Sequence, residues 1–245
     1  MNLETFFKQN NKIAIGFSGG VDSAYLLYAG KTMGADIQPY FIKTPFQPQF
    51  ELDDAYQLCK QLGIDLKVIS YDILQVEDVR KNPDNRCYYC KKELFTLLKQ
   101  QAIQDGYTIL IDGTNASDDM DERPGSKAIQ ELKVLSPLRM CNLSKSVIRE
   151  KSKEAGLFTW DKPSYACLAT RIQANQLITH ENLKKVEQAE NILHDLGYRD
   201  FRVRVYYGAA RIQLSKKDWL RFKKEEMLSL LKPIFDIVLL DLEER

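Results

Sequence analysis

Residues 12–23 read KIAIGFSGGVDS, and this stretch decides the fold. The apolar run Lys12–Phe17 predicts a short buried strand, and apolar residues recur at helical spacing from Val21 to Met33. A turn that carries two glycines, Ser18–Gly20, separates the two segments. Strand, glycine turn and helix form the first unit of a βαβ fold. The stretch therefore predicts the start of a parallel sheet.

The same alternation continues along the first two thirds of the chain. Strands are predicted at 37–42, 66–70 and 107–111, and helices at 51–62, 90–102 and 144–155. Parallel strands joined by crossover helices follow from this order. We expect an α/β domain over residues 1–165.

A different pattern follows a loop rich in Pro, Ser, Thr and Ala. Helices are predicted at 181–196 and 216–231, and strands at 201–207, 210–214 and 234–240. The expected organisation is the α/β domain, a linker at 166–180 and a small C-terminal α+β domain at 181–245, which we expect to serve substrate binding or oligomerisation.

The composition bounds the class of protein. Hydrophobic residues make up 44% and charged residues 28% of the 245 residues, as in globular proteins, and a net charge of +1 argues against nucleic acid as a partner. The N-terminus resembles no signal sequence, and the apolar runs are too short for a bilayer. We expect a cytoplasmic protein, in which five cysteines serve as thiolates or metal ligands rather than disulfides.

The glycine turn has the properties of a phosphate site. Backbone N–H groups and the positive end of the helix dipole meet between a strand and a helix. The glycines let the backbone approach an anion closely, and the two serines offer hydroxyl donors. An aspartate there cannot bind phosphate directly, and a bridging Mg²⁺ would reconcile the two negative charges. The predicted phosphate-binding residues are Ser18, Gly19, Gly20, Val21, Asp22 and Ser23.

The hexamer resembles the PP-loop of the ATP pyrophosphatase superfamily, whose members release pyrophosphate and leave AMP on a carbonyl or carboxylate oxygen. No Gly-x-x-x-x-Gly-Lys-Ser/Thr motif of phosphoryl-transferring enzymes is present. Asp112-Gly113-Thr114-Asn115, followed by Asp118, resembles the second nucleotide-proximal motif and follows a predicted strand. Pro137-Leu138 with Lys145 resembles the third. The resemblance implies ATP and Mg²⁺ at the PP-loop and at Asp112, Gly113 and Thr114, with Ser18 and Asp22 as catalytic residues.

Three cysteines form a candidate metal or sulfur site. Cys87 and Cys90 stand three residues apart before a predicted helix, so their thiols face the same way. Arg86, Lys91, Lys92 and the helix N-terminus would favour thiolates. Cys167 could complete the set. Three thiolates leave one iron of a [4Fe-4S] cluster open for an exogenous sulfide.

Other interpretations of these cysteines stay open. They could donate sulfur directly as a persulfide, or share no role. A structural zinc would need a fourth ligand, for which the candidates are Cys59, Cys141, His180 and His194. Of these, Cys59 and Cys141 are expected to be structural, His180 to start a helix and His194 to lie on a helix surface.

Five stretches together resemble the LarE family, the sulfur transferases of nickel-pincer nucleotide biosynthesis. They are the PP-loop, DERPG at 121–125, WDKPS at 160–164, ACLATR at 166–171 and the Arg-Val-Arg strand at 202–204. The resemblance covers nearly the whole chain. It implies an adenine nucleotide alpha hydrolase-like, Rossmann-like domain that adenylylates a carboxylate of pyridinium-3,5-biscarboxylic acid mononucleotide, after which sulfur displaces AMP. It also implies a homo-oligomer.

The family resemblance also bears on the source of sulfur, which the residues leave undetermined. Some members sacrifice one of their own cysteines, and that position aligns with Ala166 here. The set Cys87, Cys90 and Cys167 instead resembles the iron–sulfur members, with Cys167 catalytic.

A basic strand is the candidate substrate site. Arg202 and Arg204 alternate along a strand, so both project from one face and could clamp a phosphate or carboxylate. The resemblance adds Glu190 and Arg171 to this site. Between His180 and Lys224 the chain has eleven Lys or Arg against six Asp or Glu, which suits a small anionic nucleotide.

Three rival functions remain open. A tRNA thiolase shares adenylylation and the PP-loop. An amide-forming ligase resembling NAD or GMP synthetases leaves the cysteines unexplained. A nucleotide-binding module without turnover would retain ATP and release no pyrophosphate.

Overall fold

The computed structural model describes residues 1–119 and 124–244, which form two compact units. The first unit comprises Met1–Asp72 and Asn85–Ser164, and the second Ile73–Asp84 and Tyr165–Arg245. In the part of the chain so described, no helix combines the length and the apolar character that a membrane span requires.

The first unit contains a four-stranded parallel sheet. Its strands are β1 (Lys12–Gly16), β2 (Asp36–Lys43), β3 (Lys67–Ser70) and β4 (Ile109–Ile111), in the order β3-β2-β1-β4. Strand β1 pairs with both β2 and β4, and its residue Ile13 is opposite Ile37 of β2 and Ile109 of β4. The sheet confirms the predicted α/β class and the parallel strands.

Helices flank this sheet on both faces. In chain order the helices of the protein are α1 (Leu3–Gln9), α2 (Val21–Thr32), α3 (Gln49–Leu62), α4 (Glu77–Arg80), α5 (Arg86–Gln104), α6 (Pro124–Glu131), α7 (Pro137–Met140), α8 (Lys145–Glu154), α9 (His180–Asp195), α10 (Lys216–Trp219) and α11 (Lys224–Leu231). Ile13 and Ile15 share one core with α2, whereas Ala14 shares the other with Leu98 of α5. Burial on both faces explains the continuous apolar run of β1.

The second unit is a small α+β module. Strands β5 (Phe201–Tyr206) and β6 (Ala209–Leu214) form an antiparallel hairpin, and β7 (Val238–Leu240) pairs with β6 in parallel. Helix α9 buries Leu183, Val186, Ala189 and Leu193.

An early segment belongs to this second unit, although it precedes α5 in the chain. The side-chain amide of Asn82 donates to the carbonyl of Gln173 at 2.8 Å, and the N–H of Ile178 donates to the carbonyl of Arg80 at 2.9 Å. Because these bonds join distant segments, no local pattern in the sequence separates residues 73–84 from the first domain.

Two predicted helices differ from the structure. Helix α5 begins at Arg86 rather than Cys90, because Arg86 is buried with its guanidinium over the Phe46 ring at 6.0 Å. The helix predicted at 216–231 is two helices, α10 and α11. The carbonyl of Arg221, between them, accepts a bond from the Tyr198 hydroxyl at 3.5 Å, outside the helical pattern.

Candidate functional site

The PP-loop connects β1 to the N-terminus of α2, as the sequence predicted. Gly20 is the N-cap residue, and no side-chain hydrogen bond caps the helix. The hydroxyls of Ser18 and Ser23 lie 3.2 Å apart, and that of Ser23 donates to the carbonyl of Gly20 at 3.2 Å. The loop thus ties its two serines together beneath a helix N-terminus that attracts anions.

Two glycines, Gly19 and Gly113, lie so close to the backbone of neighbouring helices that a side chain would not fit. Gly19 has φ +69°, and a Cβ there would lie 3.1 Å from the carbonyl oxygen of Glu51. A Cβ on Gly113 would lie 2.9 Å from the backbone nitrogen of Ser23. Gly113 therefore packs directly on the first turn of α2, and this contact joins the second motif to the PP-loop.

Asp22 pairs with Lys145, the first residue of α8. Lys145 Nζ lies 2.5 Å from Asp22 Oδ2, whereas Asp22 Oδ1 is buried and has no hydrogen-bond partner among the described residues. Burial raises the pKa of the Asp22 carboxyl, and the hydrogen bond from Lys145 opposes the rise. A buried, unsatisfied carboxylate oxygen beside a phosphate loop suits an incoming cation.

Asp112 organises the second motif. Its carboxylate is buried and accepts hydrogen bonds from the Thr114 hydroxyl at 2.5 Å, the Thr114 N–H at 3.2 Å and the Ser136 hydroxyl at 2.6 Å. These bonds fix the loop that carries Gly113. Contact with a nucleotide, as the sequence predicted for Asp112, would have to compete with them.

Lys162, a residue of the WDKPS stretch to which the sequence assigned no role, also reaches the PP-loop. Its ammonium lies 2.5 Å from Asp54 Oδ2 and 3.3 Å from the carbonyl oxygen of Gly19. Arg149 holds the backbone carbonyls of Trp160 and Lys162 at 2.5 and 2.7 Å. No local pattern could have revealed the contacts of Lys162, because its partners are far away in sequence.

Cys87 and Cys90 lie in the first two turns of α5, where Cys87 is exposed and Cys90 partly buried. A Cβ on Gly16, the last residue of β1, would lie 3.2 Å from the Phe95 ring of α5. Cys90 precedes Phe95 by five residues, or about 7.5 Å of helix rise. Because α5 connects strands of one parallel sheet, it runs antiparallel to them. This offset therefore directs Cys90 toward the carboxyl ends of the strands, where the PP-loop follows β1.

Cys167 lies in the second unit, at the N-cap of a 3-10 helix over Leu168–Arg171. Its carbonyl accepts bonds from the N–H and hydroxyl of Thr170. Over residues 1–119 and 124–244, no group of three His, Cys, Asp or Glu side chains has an arrangement that could hold a metal. None of the five cysteines forms a disulfide, so their sulfurs are donors of the kind that iron and zinc take, although the structure, over the residues it describes, does not gather three of them.

The remaining zinc candidates behave as expected. Cys59 is buried, and burial raises its pKa to about 12; burial also raises the pKa of Cys141. His180 is the first residue of α9, and the side chain of His194 is 79% exposed beside Asp195.

Two predicted substrate residues form a buried ion pair. Arg171 Nε lies 2.7 Å from Glu190 Oε1, and the two side chains are 1% and 6% exposed. The Tyr165 hydroxyl and the Val203 N–H also donate to Glu190, at 2.5 and 3.0 Å. Both carboxylate oxygens are thus engaged within the protein.

The two strand arginines differ in their surroundings. The guanidinium of Arg202 lies 5.3 Å from the centroid of the Tyr165 ring, and Arg204 donates to Gln213 and to the carbonyl of Thr170. Burial and the neighbouring charge of Arg171 lower the pKa of both strand arginines.

A cavity of about 330 Å³ lies beside Arg204. It is lined by Thr170, Arg171, Ile172, Gln173, Arg204, Val205, Tyr206 and Arg211. Arg211 stands directly opposite Arg204 in the hairpin, and its guanidinium lies 2.6 Å from Asp241 Oδ2, which already offsets its charge. Arg211 was not among the residues predicted from the sequence, because its place in the cavity depends on the register of the hairpin. Residues 121–123 of the DERPG stretch lie outside the described residues.

Comparison with known proteins gives a consistent result. The chain is 30% identical, over 98% of its length and 89% of the relative's, to the pyridinium-3,5-bisthiocarboxylic acid mononucleotide synthase of Lactiplantibacillus plantarum. It is 36% identical, over 99% of its length and 92% of the relative's, to an uncharacterized protein of Synechocystis sp.. A shorter match, 31% identical over 42% of this chain and 36% of the relative, is to the tRNA-specific 2-thiouridylase MnmA of Pseudothermotoga lettingae.

No family model matches the chain. The full-length similarity to the Lactiplantibacillus synthase, the similarity to a thiouridylase and the parallel sheet with its PP-loop nevertheless agree with one another. The chain belongs to the LarE family of pyridinium-3,5-bisthiocarboxylic acid mononucleotide synthases, within the PP-loop superfamily.

Proposed function

We propose that this protein is an ATP-dependent sulfur transferase. It adenylylates a carboxylate of pyridinium-3,5-biscarboxylic acid mononucleotide, releases pyrophosphate and converts the activated carboxylate to a thiocarboxylate. The observation that carries the proposal is the PP-loop with a partly buried Asp22–Lys145 pair in a chain similar to the Lactiplantibacillus synthase over its full length.

The first proposed step forms an acyl adenylate. A carboxylate oxygen of the substrate attacks the α-phosphorus of ATP, the bond to the bridging oxygen breaks, and pyrophosphate leaves. The N–H groups at the start of α2 and the hydroxyls of Ser18 and Ser23 bind the phosphates. Lys145, at the edge of the same loop, lies where it can offset the charge that develops on the leaving group.

Mg²⁺ suits this site because Asp22 Oδ1 is a buried oxygen without a partner in the described part of the chain. Asp22 would hold the ion, which would neutralise part of the charge of the phosphates.

The second proposed step forms the thiocarboxylate. A sulfur nucleophile at the oxidation level of sulfide attacks the acyl carbon, and AMP leaves with the electron pair of the broken C–O bond. Ala166, at the position of the sacrificial cysteine in some family members, supplies no sulfur. We propose that Cys87, Cys90 and Cys167 would hold a [4Fe-4S] cluster as the protein's sulfur carrier, with Cys167 also serving as a catalytic residue.

The sulfur carrier is tested by metal analysis. Anaerobically purified protein should contain about four iron and four sulfide per chain. Cys87→Ser, Cys90→Ser and Cys167→Ser should each lose them, whereas the matched controls Cys59→Ser and Cys141→Ser should not. Zinc in place of iron, or equal iron in all five variants, would contradict this part of the proposal.

The second unit is proposed to bind the anionic part of the substrate. Arg202 and Arg204 would contact it, and Arg171 and Glu190 would shape the site through their ion pair. We further propose that residues 1–165, of which 73–84 belong to the second unit, form the ATP domain, and that 166–180 link it to the substrate domain at 181–245. The protein is proposed to work as a homo-oligomer.

The experiment that tests the proposal measures pyrophosphate release with each acceptor. Wild-type protein should release it with the dicarboxylate mononucleotide, and Asp22→Ala should not. Release with tRNA, together with steeply salt-dependent binding of it, would instead support a tRNA thiolase like the matched thiouridylase. Release that requires ammonia would support an amide-forming ligase.

A further inference from the structure

Lys162 closes a loop of contacts around the PP-loop. Helix α8 starts with Lys145, which holds Asp22, and one turn later Arg149 holds the carbonyls of Trp160 and Lys162. Lys162 then returns to the PP-loop at the carbonyl of Gly19. Helix α8 therefore contacts the PP-loop directly at Asp22, through Lys145, and indirectly at Gly19, through Arg149 and Lys162.

The surroundings fix the ammonium of Lys162. Its side chain is 16% exposed, it pairs with Asp54 at 2.5 Å, and it lies 5.5 Å from the centroid of the Phe50 ring. Asp54 and Phe50 both belong to α3, whose backbone also lies against Gly19. A partly buried ion pair of this kind holds its geometry better than an exposed one.

The contact with Gly19 has a consequence for the loop. A backbone carbonyl near a phosphate would repel it, whereas N–H groups attract it. The Gly19 carbonyl accepts from Lys162, which pairs with Asp54 of α3, and the Gly20 N–H of the same peptide donates to the Ser18 hydroxyl at 3.4 Å. The N–H groups that come next, at the start of α2, have no acceptor within the helix and can bind an anion. The positive φ of Gly19 is part of this arrangement.

We propose that Lys162 is a positioning residue that orients the Gly19 peptide and thereby sets the affinity for ATP, with Asp54 and Arg149 as its supports. Lys162 acts through the backbone of the loop and takes no part in the chemistry. This inference rests on the proposed use of ATP at the PP-loop.

The test measures ATP binding by calorimetry without an acceptor, and then KM and kcat for pyrophosphate release. In Lys162→Met the Kd and KM for ATP should rise about 10- to 100-fold, the usual effect of losing a charge-assisted hydrogen bond, while kcat at saturating ATP stays within about threefold. Lys162→Arg should recover most of the affinity. Lys151→Met, an exposed lysine of α8, is the matched control and should bind ATP like the wild type.

A second comparison separates positioning from loss of folding. Asp54→Asn should weaken ATP binding less than Lys162→Met, and the double variant should bind no more weakly than Lys162→Met alone. Unchanged Kd in a folded Lys162→Met variant, or a fall in kcat alone, would overturn the inference and leave the proposed function standing. Failure of the wild type to bind ATP would overturn both.

Discussion

Replacing Glu190 with alanine would leave a buried guanidinium without its counter-ion. Glu190 accepts hydrogen bonds from Arg171, Tyr165 and Val203, and the side chain of Arg171 is 1% exposed. The carboxylate therefore joins α9 to β5 and to the segment that carries Cys167. Its loss should destabilise the second unit as well as any substrate site.

The expected cost follows from the burial of the pair. Removing one partner of a buried ion pair costs about 3–5 kcal/mol. Glu190→Gln keeps a carbonyl acceptor but loses the charge, so we expect about 1.5–3 kcal/mol. With a urea dependence of about 1–3 kcal/mol per molar, the alanine variant should unfold at a urea concentration lower by about 1 M or more.

Tryptophan fluorescence provides the assay. In a Trp160→Phe background the signal comes from Trp219, which lies in the second unit. Glu181→Ala, an exposed position on α9 paired only with Lys185 four residues away among the ion pairs described, is the control and should barely move the midpoint. If Glu190→Ala unfolds at the same urea concentration as Glu181→Ala yet loses sulfur transfer, Glu190 acts on the substrate directly, and the structural role inferred from its ion pair is wrong.

Three further outcomes are expected. Burial raises the pKa of Asp22, and Lys145 opposes the rise. As the pH is lowered, the affinity for ATP should therefore begin to fall at a pH above the ordinary aspartate range, and in Lys145→Met it should begin to fall at a still higher pH. Identical pH profiles of ATP affinity for the wild type and Lys145→Met would contradict this. Gly113→Ala places a Cβ 2.9 Å from the backbone nitrogen of Ser23 in α2, so it should weaken ATP binding and lower the free energy of unfolding by about 1–3 kcal/mol. A Cβ at Gly125 meets mainly the flexible side chain of Lys91, with the carbonyl of Cys87 at 3.3 Å, so Gly125→Ala should destabilise less in thermal unfolding. Arg204→Gln should raise the KM for the mononucleotide about 10-fold or more and leave the Kd for ATP unchanged; the reverse pattern would refute its place in the substrate site.

The sequence predicted the features that depend on neighbouring residues. The strand, glycine turn and helix of 12–33 are local, so the PP-loop and its sheet could be recognised directly. The helix predicted at 144–155 has a local signal as well, because the Ser144 hydroxyl caps α8 by accepting from the N–H of Val147.

The sequence could not predict contacts between distant segments. The residues around Lys162 indicate only a loop, since its partner Asp54 belongs to a helix far away in the chain. The predicted start of α5 is too late, because the burial of Arg86 depends on its contact with Phe46 in another segment. The resemblance places Glu190 at the substrate, but only the structure reveals its buried ion pair with Arg171, because the two residues are 19 positions apart.

The central claim is tested most directly by mass spectrometry of a single reaction that contains the protein, ATP, Mg²⁺, a sulfide source and pyridinium-3,5-biscarboxylic acid mononucleotide. We predict AMP and pyrophosphate in equal amounts and a product in which one carboxylate oxygen is replaced by sulfur, with neither formed by Asp22→Ala. Pyrophosphate without a thiocarboxylate, or no dependence on the mononucleotide, would contradict the account.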